Sequence, residues 1–460
     1  MADGTVRISE APSGGKLVDN EELTVGGNTV NRQRIQVAGA PDVALANVAR
    51  IPPSAGDFGL VVRQVDDPHR RTPFGELRVA SPFALGDFAQ PYGLDPTVMS
   101  SDTTNTGAVA DLLDQSAVRL SVVASGDRAV QSTRESFRYQ PGSATRLRQT
   151  VVVDADDTAG LTRRWGQFDD GDGVFFALVD STPQVVIRSS TSGSVLETQT
   201  VAQSAWNQDT LDGSGDAGNP SGATLDLTKV NIFEITYQWL GAGFVDFYVN
   251  QIRVHRFENP GALPVPYMKT GILPLRWEVV SSGGAGEIVN VCSGVVSDGG
   301  GDPLAYGFGY ARPTAASVPT GGLPMVSLRP AATFKTVANR GLIVPRTAFV
   351  SGAGGGSDAI VDVVVGGILT GASWSAVNAE SMAEVDIAAS AITGGIVVAT
   401  AFLDNAADRA IDLTDVFDRR GRKLLVDSLT GDQDVVTLVG RDAQAGTTDV
   451  FGAFNWLEVR

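Results

Sequence analysis

Five consecutive residues, Asp169-Asp170-Gly171-Asp172-Gly173, place three carboxylates in one short turn. Calcium is a hard cation that takes several oxygen ligands from such loops. The EF-hand spacing is not met: counted from Asp170, Val174 stands where a third oxygen ligand belongs and Phe175 where the glycine belongs. Asp and Gly also supply the backbone angles that a tight hairpin turn requires. Two readings therefore stand side by side. In one, Asp169, Asp170 and Asp172 bind calcium with help from oxygens of residues 211–222. In the other, they only make a turn.

That second stretch, 211–222, consists almost wholly of Gly, Asp, Ser, Asn and Pro. A loop of this length in a compact domain is usually functional or disordered. Asp209, Asp212, Asp216 and Asn219 form its oxygen-rich cluster, open to a glycan, a metal or a neighbouring subunit. Trp206 lies beside it in Ala205-Trp206-Asn207 and is the better candidate of the three for stacking on a sugar or a partner, with packing the stronger of its two readings. Trp239 and Trp277 sit inside strand patterns and read as core, given the apolar area a Trp buries.

Recognised signatures of catalysis are missing. There is no G-x-S-x-G elbow, no H-E-x-x-H and no Walker loop. His69 and His255 are the two histidines, and both read as surface residues. Glycoside hydrolysis needs two carboxylates facing one another across the scissile bond. No Glu-x-Asp-x-x-Glu run supplies them, because Glu384-Val385-Asp386 lacks its third member. The expectation is a non-enzymatic protein. Nearly all positive charge is on Arg, whose planar fork pairs bidentately with carboxylates, so Arg163, Arg164, Asp169 and Asp170 are candidates for contacts between subunits, while the codon bias of a GC-rich genome explains the preference for Arg equally well.

The elements that must position these residues are strands. Alternating apolar and polar residues recur at 117–123, 146–153, 173–178, 184–189, 231–239, 243–249, 253–257, 275–280 and 287–296, punctuated by Gly, Pro, Asn and Asp. A further candidate lies at 76–79, and residues 109–113 are the only helical candidate. This pattern predicts a two-sheet antiparallel sandwich over 66–320, with Pro and Gly runs after 299 marking a linker. The pattern restarts over 321–460, predicting a second, C-terminal β-sandwich. Residues 1–65 carry two short alternating runs, 32–37 and 58–65, too few strands for a core of their own. They read as an extended arm that docks on a neighbour, or as a flexible leader.

Composition narrows the partners. The 460 residues have a formal net charge of −17, against both a nucleic-acid grip and an anionic membrane surface. Cys292 is the only cysteine, so no intrachain disulfide forms and no oxidising compartment is required; in its largely apolar run, 289–296, it reads as a small buried hydrophobe. No apolar run is long enough to span a bilayer, and synthesis and folding in a cytoplasm are expected.

Several segments also carry a family resemblance. RRWGQFDDGDGVFFAL (163–178), VVIRSSTSGS (185–194), VAQSAWNQDTLDGSG (201–215), the stretch 221–250 ending in GAGFVDFYVN, and LPLRWEV (273–279) resemble a family of tailed-bacteriophage virion structural proteins. The similarity extends upstream through TPFGELRVASP (72–82) and GDRAVQSTRESFRYQPG (126–142), and downstream through NRGLIVP (339–345) and LTGASWSAVN (369–378). The resemblance implies a concanavalin A-like jelly-roll core and a place on a virion surface, on head, tail or baseplate. It implies partners among other virion proteins and copies of this chain. A trimer is the first expectation from virion symmetry. A carbohydrate-binding adhesin contacting host-surface glycan is the alternative, and a polysaccharide depolymerase a third. For a phage protein, folding would take place in the host cytoplasm.

Overall fold

The computed structural model describes residues 82–153, 158–299, 304–354, 356–419 and 421–460, with three short strands nearer the N-terminus. The chain divides into two compact units, Met1–Asp67 and Pro68–Arg460. In the first, Leu17–Val25 and Asn28–Arg34 pair as an antiparallel hairpin, and Val6–Arg7 pairs with the outer side of Leu17–Val25. The strands expected at 58–65 and 76–79 lie outside the described residues.

The larger unit is all-β, as the alternation predicts, and holds two sandwiches in succession. Among the described residues its only helix is the 3-10 turn Gln203–Ala205. The first sandwich packs a seven-stranded sheet against an eight-stranded one, every pairing antiparallel. In the seven-stranded sheet the order is Leu196–Ala202, Thr182–Ser189, Gly173–Val179, Leu161–Phe168, Leu275–Ser281, Arg128–Thr133 and Met99–Thr104. The facing sheet runs Ile252–Glu258, Phe244–Val249, Asn231–Tyr237, Ala144–Val153, Gly286–Asp298, Ala117–Val122 and Ala108–Leu112, and Phe83–Ala89 pairs with the far half of Gly286–Asp298.

Strand alternation fills the space between these sheets. Trp165 stands opposite both Phe176 and Trp277 on its neighbours. From the other sheet, Phe233 meets Trp165 and Phe176 edge-on, each at 4.9 Å between ring centroids, and Phe247 meets Phe176 at 5.1 Å. Tilted and edge-on aromatic pairs add about 0.5–1.5 kcal/mol each beyond the area they bury. The hairpin carrying Phe247 turns at Asn250 and Gln251, whose φ angles of 47° and 73° are both left-handed. That is the type I′ geometry which matches the twist of paired strands.

Three expectations are corrected here. Residues 109–113 form no helix: Ala108–Leu112 is a strand paired with Ala117–Val122. Five residues cannot stabilise an isolated helix, and a neighbouring strand edge satisfies their backbone instead. The stretch after 299 is not merely a linker, since Ala305–Ala311 and Ala316–Pro319 both pair with Thr447–Val459 of the second sandwich. Cys292 is exposed rather than buried. It sits at a bulge in the pairing of Gly286–Asp298 with Ala144–Val153.

The second sandwich sets a five-stranded sheet around Thr447–Val459 and Leu342–Gly352 against a six-stranded one. The latter runs Ser375–Ala376, Ala383–Asp386, Leu323–Pro330, Val436–Asp442, Ala359–Val365 and Ile396–Leu403. Met325, Leu328, Phe417, Leu438, Phe454 and Trp456 form its core. Polar and charged groups fasten it to the first sandwich. Arg134 reaches Asp427 and Asp434, both at 2.8 Å. The Ser428 hydroxyl donates to the Thr133 carbonyl at 2.6 Å, and the Ser428 amide to the Arg134 carbonyl at 2.9 Å. Lys423 pairs with Glu135, whose carboxyl is pushed up by burial against the opposing pull of the ammonium.

Phe247 is wholly buried, so Phe247→Ala should cost about 3–5 kcal/mol. Its neighbour Asp246 is also buried and binds Arg256 through two hydrogen bonds of 2.6 Å. On strand alternation alone Asp246 reads as an outer-face residue of little consequence. The bidentate pair makes Asp246→Ala cost about 1.5–3 kcal/mol instead. Denaturant midpoints of both variants against the parent protein check the two values, and an Asp246→Ala variant as stable as the parent would show that the pair contributes nothing.

Candidate functional site on the outer face of the seven-stranded sheet

The residues that alternate with the core aromatics face away from the sandwich and gather charge. Arg164 and Gly166 flank Trp165, and Arg276 and Glu278 flank Trp277. Register sets Arg164 directly opposite Glu278 and Gly166 opposite Arg276. Glu278 then collects three guanidinium groups: Arg128 at 2.7 Å, Arg164 at 3.1 Å and Arg276 at 3.2 Å. Arg276 also reaches Asp170 at 2.8 Å, and Arg128 reaches Asp102 at 3.3 Å.

A small apolar cluster on the same side, Phe168, Phe175, Ala177 and Val186, supports this layer. The Arg188 guanidinium lies 5.0 Å from the Phe175 ring centre and 5.5 Å from that of Phe168, within cation–π range. Its fork binds Glu197 at 2.7 and 3.0 Å and the Asp169 carbonyl at 2.8 Å. Gly166 makes room for Phe175, since a β-carbon there would come within 2.4 Å of the Phe175 side chain. Arg128, Arg164, Asp170, Arg188, Glu197 and Glu278 line an open groove of about 680 Å³ whose walls include Val195 and Leu196.

Glu278 is nearly fully buried, which works to raise its pKa. Arg276, Arg164 and Arg128 outweigh that effect and hold the carboxyl down at about 2. At neutral pH it is an acceptor locked as an anion, the opposite of the raised carboxyl that a general acid requires. The chemistry open to this groove is recognition of oxygen-rich or charged groups by arginine forks and carboxylates.

The turn that suggested calcium does other work. The Asp169 carboxylate accepts from the amides of Gly171 and Asp172, both at 2.8 Å, and pairs with Arg340 of the second sandwich at 2.5 Å. Asp172 is buried and accepts from the Ser190 amide and hydroxyl and from the Lys269 amide. Asp170 alone is exposed, and it faces Arg276. Three carboxylates already engaged by N–H and O–H donors on separate sides do not fit a calcium ion. Among the described residues no group of three His, Cys, Asp or Glu side chains is placed to hold a metal.

Trp206 and Asn219, the candidates for a glycan or partner contact, are buried, and for Trp206 the packing reading holds. Trp206 packs into the core of the first sandwich and its indole N–H donates to the Val201 carbonyl at 3.3 Å. Asn219 braces its loop from within through the Ala223 carbonyl at 2.8 Å. Asp212 and Asp216 are exposed, and their carboxylates cap the amides of Ser214 and Gly218. Asp209 is buried and accepts from the amides of Leu211 and Ser221. The loop is thus organised around its own backbone.

Arg163 is buried too, its Nε donating to the Glu287 carbonyl at 3.0 Å, so it is not an intersubunit residue. His255 is buried rather than on the surface. Burial lowers its pKa to about 4 against the pull of Asp246, and Nδ1 accepts from the Asn207 amide. His69 lies outside the described residues. Sequence reasoning missed Arg128, Arg188, Arg276 and Glu278. The signal was present in the alternation around Trp277, which sends Arg276 and Glu278 to the outer face together.

No protein-family model and no curated protein matches the chain. Solved structures with similar folds include an endo-1,3-beta-glucanase from Streptomyces sioyaensis at 10% identity, covering 47% of this chain and 95% of that one, with a TM-score of 0.29. A legume lectin-like domain from Entamoeba histolytica is 12% identical over 47% of this chain and 98% of its own, with a TM-score of 0.28. A carbohydrate esterase from the Shiga toxin-encoding bacteriophage phi24B is 10% identical over 47% and 99%, with a TM-score of 0.30. Likenesses this distant carry no substrate or activity to this chain.

The Glu278 cluster has a pH signature. Its pKa lies near 2 in the folded protein and 4.5 is the ordinary value, so its stabilisation is present above pH 4.5 and is lost as pH falls toward 2. The loss should reach about 3 kcal/mol at most. At pH 7, Glu278→Gln should destabilise by about 3–5 kcal/mol, because it strands buried arginine charge. Urea midpoints at pH 7 and pH 3 should show the gap between variant and parent narrowing in acid, and a constant gap would refute the assignment.

Proposed function

We propose that the protein is a non-enzymatic structural component of a tailed-bacteriophage particle, exposed on its surface. The observation that carries this reading is the state of the candidate groove. Its central carboxylate is neutralised by three arginines and its remaining charges are paired, which suits a rigid recognition or packing surface better than acid–base chemistry. The fastening of two sandwiches through Arg134, Lys423 and Arg340 supports the same reading, since it makes a stiff building block. The resemblance of segments within residues 72–378 to virion proteins is what suggests the particle. Among the described residues no helix is long and apolar enough to cross a membrane. On this reading the chain folds in the host cytoplasm and joins other virion proteins and copies of itself.

A second reading, a host-glycan adhesin, is favoured by the open groove with its arginine forks beside exposed Val195 and Leu196. Here Arg164 is the residue to test, because only one of its guanidinium nitrogens bonds to Glu278.

Gold-labelled antibody against the chain should decorate intact particles at repeated, symmetric positions. Particles left unlabelled, while the chain is found only in the lysate, would sink the structural assignment. Glycan-array binding that disappears in Arg164→Ala would favour the adhesin. Release of reducing ends from host polysaccharide would overturn the non-enzymatic reading.

A further inference from the structure

The Asp170 carboxylate stands 2.8 Å from Arg276, yet the two side chains differ in exposure, 87% against 3%. Asp170 lines the open groove and Arg276 does not, so the carboxylate caps the guanidinium on the groove side. Arg276 is held from behind. Its Nη2 reaches Glu278 at 3.2 Å, and its guanidinium lies 5.3 Å from the centre of the Phe168 ring. Its Nε has no hydrogen-bond partner among the described residues. The turn that carries Asp170 is fixed as well. Asp169 caps the amides of Gly171 and Asp172, the Asp169 amide donates to the Asp172 carbonyl at 2.9 Å, and Asp172 is engaged by Ser190 and Lys269. The Asp170 side chain has no such hold: among the described residues its partners are Arg276 and, at 4.0 Å, Arg128. An ion pair with one partner in water contributes little to stability. Rotation of this one side chain therefore uncovers Arg276 without moving the backbone.

We propose that the position in front of Arg276 is the carboxylate subsite of an acidic-glycan site, filled in the free protein by Asp170 as an internal stand-in. The inference deepens the glycan-binding reading of the groove and rests on it. A guanidinium fork matches a carboxylate in shape and charge, and Asp170 already shows that one fits there. With Asp170 turned away, Arg128, Arg164, Arg188 and Arg276 stand against Glu197, Glu278 and, outside the lining, Asp102. The balance becomes positive in a chain whose net charge is −17, which favours an anionic sugar over a neutral one. The rest of the groove suits the sugar that carries the charge. The partly exposed Glu197 carboxylate accepts from hydroxyls. Arg164 makes one hydrogen bond among the described residues, from Nη1 to Glu278, and its remaining N–H groups are donors for ring oxygens. Exposed Val195 and Leu196 give the C–H faces of a sugar ring an apolar wall. About 680 Å³ is the size of a small-molecule site and exceeds what a lone ion fills.

Calorimetric titration of the full chain with trigalacturonate and with maltotriose tests the subsite. The parent should bind the acidic trisaccharide more tightly than the neutral one. Asp170→Ala should tighten acidic binding roughly fivefold, because no internal carboxylate then competes, and should leave maltotriose unchanged. Asp102→Ala removes a like charge from Arg128 without uncovering Arg276, and its gain should be smaller. Acetate, compared with equal chloride, should raise the thermal midpoint of Asp170→Ala and not that of the parent. Asp170 is exposed, so Asp170→Ala without ligand should melt with the parent. Equal affinity for the two trisaccharides would overturn the acidic subsite and leave the glycan reading standing. No binding of either, by parent or by Asp170→Ala, would overturn both. A gain in Asp102→Ala equal to that in Asp170→Ala, or an Asp170→Ala variant indifferent to acetate, would overturn the stand-in role, since net charge and not occupancy would then set the affinity.

Discussion

Opposite Trp165 on the neighbouring strand stands Trp277, and opposite Arg164 stands Glu278. One register between Leu161–Phe168 and Leu275–Ser281 accomplishes both. Side chains alternate with a period of two, so a slip of one residue would drive Arg164 and Glu278 into the core and expose both tryptophans. Burying two indoles together with Phe176, Phe233 and Phe247 makes that slip prohibitive. The outer layer of arginines and carboxylates is therefore held in place by packing on the other side of the sheet. Its order is inherited from the core.

Electrostatics does a different job in each part of the molecule. On the outer face, one buried carboxylate gathers three arginines. At the junction of the sandwiches, one arginine gathers two aspartates. Pairs such as these contribute less to net stability than to specificity, because desolvating the charges offsets much of their attraction. They do penalise alternatives severely: a sandwich that docked elsewhere would leave Arg134, Asp427 and Glu135 unpaired. With 35 Lys and Arg against 52 Asp and Glu, the internal pairs leave a surplus of acid for the surface.

The surface that remains has two contrasting features. The groove is charged, internally balanced and open, and the Ile396–Leu403 edge is uncharged and, among the described residues, paired on one side only. Both are built on strands of the two sandwiches.

Alternation and turn chemistry were legible in the amino-acid sequence, and with them the all-β class, the two sandwiches and the Asn250-Gln251 hairpin. Each depends on residues near one another in the chain. The acidic excess, the single cysteine and the lack of familiar catalytic motifs were legible for the same reason. The candidate site was only half legible. Arg164 and Asp170 drew notice, whereas Arg128, Arg188 and Glu278 did not, because they come from strands more than a hundred residues apart at the extremes and meet only through sheet order. Burial reversed other readings. Trp206 and Asn219 belong to a polar-looking stretch that the tertiary structure folds inward, and Asp246 alternates like a surface residue yet lies buried against Arg256. The acids of the 169–173 turn looked like metal ligands until the fold aimed Asp169 at Arg340 and Asp172 at Ser190. Local chemistry can be read along the chain. Which groups share a dielectric, a partner or an edge is decided by contacts between distant strands, and those exist only once the sheets have paired.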